Sequence, residues 1–288
     1  MNNLLLFSLQ TAACRMLASS SRLAPLMMAV AVLLSGVAMQ AGAAGQAAAT
    51  ATASNPSTTG TPKAEGTPAA NQQTVVPDTI AQRLAACTAC HGKEGRAASD
   101  GYYPRIAGKP EGYLFNQLKN FRDGKRKYPL MTYMVGQMPD AYLREMAEFF
   151  SSQHPPYPAP QAAQSDQSIL ERGRQLVQSG DSSKKLPACV ACHGDKMTGI
   201  APFIPGLLGL PRDYVVGQLG AWQTGARHAH APDCMAQIAK ALSPQDIGAV
   251  SAWLASQPMP SDVIAPLAGA AGANVYSSRP LVCGSAPQ

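Results

Sequence analysis

Two five-residue phrases carry the chemistry of this chain. Cys87-Thr88-Ala89-Cys90-His91 and Cys189-Val190-Ala191-Cys192-His193 both read C-x-x-C-H. Two thiols at that spacing can add across the two vinyl groups of one porphyrin, and the adjoining imidazole then stands where it can bind the iron. A zinc site needs a second ligand pair at zinc spacing, which neither phrase has. Two copies make two covalently bound haem c groups the expected cofactors. Cys87, Cys90, Cys189 and Cys192 would tether them, with His91 and His193 as proximal iron ligands.

The surroundings of the two phrases also match. Tyr113-Leu114-x-x-Gln117-Leu118 corresponds to Tyr214-Val215-x-x-Gln218-Leu219. Phe121 corresponds to Trp222, Gly124 to Gly225, Met131 to Met235 and Phe149 to Trp253. The offsets stay between 101 and 104 residues, which implies duplication of one unit with small insertions in loops.

Each iron needs a partner on its other face. A thioether favours ferrous iron and raises the potential, which suits electron transfer. The repeat alignment selects Met131 and Met235 as metal ligands. Met134 and Met138 compete in the first repeat, and His228 and His230 compete in the second. Pro104 and Pro205 are expected against the proximal imidazoles, each offering a backbone carbonyl to the ring N–H. Arg105, Tyr113 and Tyr214 are candidates to meet haem propionates. The run Lys119–Lys127, with Arg122, Lys125 and Arg126, reads either as a solvated face or as a docking patch for an acidic redox partner.

The elements that must position these groups read as all-α, with no segment alternating convincingly as a strand. A short helix carries each C-x-x-C-H, and a Gly- and Pro-rich loop follows. Helices are expected at about 111–123 and 212–224, and again at about 140–152 and 244–256. In the last pair, Leu143, Met146, Ala147 and Phe150 recur at i, i+3, i+4 and i+7, as do Ile247, Val250, Ser251 and Leu254. The expected organisation is a signal peptide or membrane anchor over 1–43 and a disordered Ala/Thr/Pro-rich linker over 44–77. A first haem domain over 78–153, with Asp78 as N-cap, leads through a linker over 154–166 to a second over 167–257. An irregular tail covers 258–288.

Leu23–Met39 is a charge-free run of seventeen residues followed by Ala41-Gly42-Ala43, a signal-like pattern that could alternatively tether the chain to a membrane through residues 23–39. Export to the periplasm suits thiol chemistry of this kind. Of seven cysteines, Cys14 lies in that leader and four lie in the motifs, leaving Cys234 and Cys283 either as a disulfide or as unrelated thiols. The net charge of +6 is offset by haem propionates, and no basic cluster with stacking aromatics points to nucleic acid.

Tandem C-x-x-C-H units, each with P-x-[IL]-x-G before Y-[LV]-x-x-Q-L and then a methionine, resemble cytochrome c4 over about residues 80–257. The resemblance implies two class I cytochrome c domains with haems close enough for internal electron transfer. It also implies a periplasmic carrier, not an enzyme, shuttling between membrane respiratory complexes and a terminal oxidase. Met131 and Met235 fall where that family places its axial methionines. Two alternatives stand beside this one: a cytochrome subunit accepting electrons from a periplasmic dehydrogenase, and a dihaem enzyme with one open haem site.

Overall fold

The computed structural model describes residues 78–98, 101–269 and 279–286. The expected signal or anchor over 1–43, its apolar run at 23–39, and the linker over 44–77 lie outside the described residues. Among the described residues, no helix is long and apolar enough to cross a membrane.

Helix starts follow the local chemistry. The short α1 (Ile80–Arg83) begins at Thr79, whose hydroxyl accepts from Gln82 N at 3.3 Å, so the cap is Thr79 and not Asp78. After one break residue, α2 (Ala85–His91) carries the first motif to its end. The first repeat continues through α3 (Glu111–Arg122), α4 (Pro129–Val135) and α5 (Asp140–Ser151). Acidic Glu111 and Asp140 open α3 and α5, where the positive end of the helix dipole favours them.

The second repeat has α6 (Gln167–Gln178), α7 (Val190–His193), α8 (Arg212–Gln223), α9 (Cys234–Ala241) and α10 (Pro244–Ser256). Ser243 caps α10 in a reciprocal box with Asp246. The all-helical expectation needs one correction. After the second motif, β1 (Gly199–Ile200) pairs antiparallel with β2 (Ile204–Pro205). The segment is too short to alternate, so no period-2 signal could reveal it.

Each repeat builds its own core. In the first, Leu84, Leu114, Phe121, Leu143, Met146 and Phe150 are buried together, and the α5 stripe read from the sequence supplies three of these six. In the second, Leu176 and Val177 of α6 meet Leu219, Trp222, Ile247, Val250 and Leu254. Burying each such side chain contributes roughly 1.5–3 kcal/mol. The α6–α10 crossing is close enough to require Gly173: a Cβ there would lie 2.2 Å from Ala249 O. The first repeat has only the short α1 against α5 in the corresponding place.

Candidate haem sites and the interface between them

The ends of α2 and α7 deliver the two motif histidines in the same way. His91 Nδ1 lies 2.9 Å from Pro104 O, and His193 Nδ1 lies 2.8 Å from Pro205 O. A carbonyl only accepts, so Nδ1 carries the proton and the lone pair is left on Nε2. Both rings are buried, and burial holds both below the ordinary imidazole pKa against the opposing pull of those carbonyl bonds. The neutral imidazole that results is the form that ligates iron.

The motif cysteines sit in apolar walls. Burial, with Cys192 nearby, pushes the Cys189 thiol up to about 12, and burial raises Cys87 and Cys192 as well. Reactive thiolates of redox C-x-x-C enzymes are tuned in the opposite direction. In the second repeat, Cys189, Cys192, His193 and Met235 line one continuous cavity with Leu219, Trp222, Val250 and Leu254. In the first, Met131, Met134 and Met138 all pack on the core cluster that includes Cys87, so packing alone does not choose among them. His230 also reaches the second cavity, but its Nδ1 lies 3.1 Å from Lys125 Nζ and is engaged there. His228 is not among the residues lining that cavity.

Three sequence expectations are redirected. The guanidinium of Arg105 is only 2% exposed and turns onto the inter-repeat linker. It donates to Ala107 O, Pro155 O and Pro156 O and lies 3.8 Å over the Tyr157 ring. The Lys119–Lys127 run is neither a free patch nor a uniform solvated face. Lys119 and Arg122 pair with Asp140, Arg122 also with Asp123, and Arg126 turns inward. The tail is not featureless: Cys283 is bonded to Cys234 with a Cα–Cα distance of 5.1 Å, and Ala201 bridges to Leu267.

Tyr113 and Tyr214 take part in an arrangement that spans both repeats. Arg126 donates to Gln117, Gln218 and Tyr214 at 3.2, 2.6 and 3.2 Å. Arg227 donates to Gln218, Gln117 and Tyr113 at 2.8, 2.9 and 3.4 Å. Each guanidinium lies over an aromatic ring of its own repeat, Arg126 on Phe121 and Arg227 on Trp222. The backbones join beside them, with Lys127 N on Ala226 O and His228 N on Lys125 O, both 2.7 Å. Every pair in this set is 101 residues apart, so the offset that aligned Tyr113 with Tyr214 already contained Arg126 and Arg227.

This interface supplies a test of whether haem fits. Among the described residues, no carboxylate pairs with Arg126, Arg227 or Lys109. Burial lowers the pKa of Arg227 and of Lys109, and neighbouring Arg126 adds to both effects. Against the burial that would raise it, Arg227 and Arg126 hold Tyr113 down at about 8. Buried cations are normally paired. The propionates of two haems are the kind of anion this cluster lacks, and the free Nε2 atoms and apolar walls suit the macrocycles. The residues present fit the group.

No family model matches the chain. It is 35% identical to the thiosulfate dehydrogenase electron acceptor of Thiomonas intermedia, over 61% of this chain and 80% of the relative. It is 32% identical to cytochrome c4 of Pseudomonas aeruginosa, over 60% of this chain and 84% of that one. The solved structure of reduced cytochrome c4 from Pseudomonas stutzeri superposes with a TM-score of 0.53 at 30% identity, covering 61% of this chain and 95% of that one. This chain belongs to the cytochrome c4 family. As a cytochrome c4 it carries two covalent haem c groups with iron and serves electron transport. The doubled, mostly helical architecture described above is that of its structural neighbour.

Proposed function

We propose that this cytochrome c4 is an exported periplasmic carrier that accepts electrons from a dehydrogenase and passes them toward a terminal oxidase of the membrane respiratory chain. The identity and coverage shared with the thiosulfate dehydrogenase electron acceptor support the donor side, and favour a thiosulfate-oxidising enzyme as that donor. Cys87 and Cys90 would tether the first haem, with His91 and Met131 as the residues that would hold its iron. Cys189 and Cys192 would tether the second, with His193 and Met235 holding its iron. When bound, the haems supply reversible one-electron chemistry at iron.

The residues of the chain do the rest. Pro104 and Pro205 hold each imidazole by its Nδ1–H, fixing the ring and aiming Nε2 at the metal position. The buried walls exclude water, which disfavours the more positively charged ferric state and raises the potential. Arg126 and Arg227 join the repeats at the junction and would neutralise propionate charge there. With a histidine and a methionine holding each iron, no position would be left for substrate, and the proposed role is transfer. The observation that carries the reading is the repeated imidazole–carbonyl pair, which in the second repeat stands at the wall of an apolar cavity.

Rapid mixing of the oxidised cytochrome with a thiosulfate dehydrogenase and thiosulfate tests it. Reduction of both haems at a rate that saturates with cytochrome concentration is expected. A ferric protein left oxidised by that enzyme, yet reduced by another periplasmic dehydrogenase, would remove the thiosulfate assignment. Carbon monoxide binding to the untreated ferrous protein would favour an enzyme with an open iron instead.

A further inference from the structure

The C-terminal residues 279–286 have no counterpart in the first repeat and no role in the chemistry above, yet they lie against the second haem site. Leu281, Cys283, Ser285 and Ala286 line the same cavity as His193 and Met235. Cys283 and Ala286 are buried while Val282, just before Cys283, is 60% exposed, so the segment presents one face inward. Its inward face packs with Ile200 and Ile204 of the β1–β2 pair, which follows His193, and with Cys234, which precedes Met235. The segment thus runs from the loop on the histidine side of the cavity to the helix on the methionine side.

Four further contacts fix it there. The Cys234–Cys283 bond attaches it one residue from Met235. Gly284 N donates to Pro232 O at 2.9 Å, and His230 N donates to Ser285 Oγ at 3.1 Å. Asn116 of the first repeat donates through Nδ2 to Ser285 O, also at 3.1 Å. Gly284 lies so close to the loop before α9 that a Cβ would come 2.1 Å from Ala231 O.

We propose that residues 281–286 form a disulfide-held strap that keeps Met235 in the axial position and closes the second haem to small ligands from solution. The proposal rests on Met235 being the axial ligand, and the strap residues act as positioning residues through it.

The test uses the mature holoprotein and two independent lesions. One is the double variant Cys234→Ser with Cys283→Ser. The other is Gly284→Val, which forces the strap off Ala231 while leaving the bridge in place. The probes are added imidazole on the ferric protein and the axial methionine methyl resonances of the ferrous protein, one per haem. Both variants are expected to lose half of the far-red thioether–iron absorption at imidazole concentrations that leave the wild type intact. The midpoint potential of the second haem falls, and the Met131 resonance is unchanged. If wild type shows no Met235 resonance, the ligand assignment itself fails. If wild type shows both resonances and each variant keeps them with unaltered resistance to imidazole, the ligand assignment stands and the strap proposal is overturned. A double variant that does not mature leaves Gly284→Val to decide.

Discussion

The two repeats hold the same five-residue chemistry in differently built frames. In the second, α6 spans Gln167–Gln178 and crosses α10 at backbone contact distance through Gly173. Asp246, buried at the start of α10, receives Arg172 at 2.9 Å and Lys184 on its two oxygens, and Arg172 also reaches Asp181 at 2.8 Å. A disulfide adds a further tie beside Met235. The first repeat has a four-residue α1 in place of the long helix. Its charge pairs at Asp140 are half-exposed, and Tyr133 on the methionine-bearing α4 is 83% exposed. The two repeats therefore share the motif and its imidazole–carbonyl pair while the support around them differs. The lesson is that motif identity and site rigidity are separable, and that two copies of one motif can differ in the support around them.

The largest effect expected from breaking this comparison is at the axial ligands. Met235→Ala should lower the potential of the second haem by something on the order of 0.1 V, while Met131→Ala does the same to the first. Spectroelectrochemical titration of each variant, with one wave moving and the other fixed, checks the pairing of methionine to repeat. A Met131→Ala protein with both waves unmoved would transfer the first ligand role to Met134 or Met138.

Gly173→Ala comes next. The added methyl meets Ala249 O and the Trp253 side chain, so the second repeat should lose roughly 1–3 kcal/mol while the first is untouched. Denaturant unfolding followed separately at each haem would show one midpoint displaced.

Acid should also separate the repeats. Against the burial that raises it, the Lys184, Arg172 and Ser243 contacts hold the Asp246 carboxyl well below the usual carboxylate range. Ser183 and Arg172 hold Asp181 at about 2. Carboxyls depressed in the folded state contribute stability above their unfolded value, near 4, and lose it as pH falls through the folded value. The second repeat should therefore shed its ionic advantage between roughly pH 4 and pH 2. In Asp246→Asn that dependence should flatten, with a loss of about 1–3 kcal/mol at neutral pH, less than for a fully buried pair because Arg172 and Lys184 are partly exposed. Thermal melts across that pH range check both points.

The smallest effect concerns the linker. Arg105→Lys keeps the charge but loses the planar fork that spans three carbonyls and stacks on Tyr157. Electron equilibration between the haems should slow modestly while both potentials stay put, as flash-reduction kinetics would report.

Much of this molecule was legible in the chain. The α5 stripe, the four long helices after the two motifs and the proline carbonyls all follow from periodicity, breakers and the repeat offset. α6 is hard to read from the chain, although its Leu176 and Val177 are core residues. Its core-facing positions are separated by Arg172 and Arg174, which blur the period. A linker carbonyl fifty residues away claims Arg105, a contact no local pattern encodes. The Cys234–Cys283 pairing was left open because spacing carries no information about distance. Arg126 and Arg227 were legible in principle. Their identical offset was hidden because Arg126 sits in a run of basic residues that invited a surface reading.

The central claim is two covalently tethered haems, each closed by one histidine and one methionine. It is tested most directly by quantifying haem per chain in denatured protein together with the far-red thioether–iron absorption of the native ferric form. The account predicts two haems retained on the denatured polypeptide and absorption amounting to two thioether-ligated irons. One haem per chain, haem released on denaturation, or absorption for a single iron would contradict it.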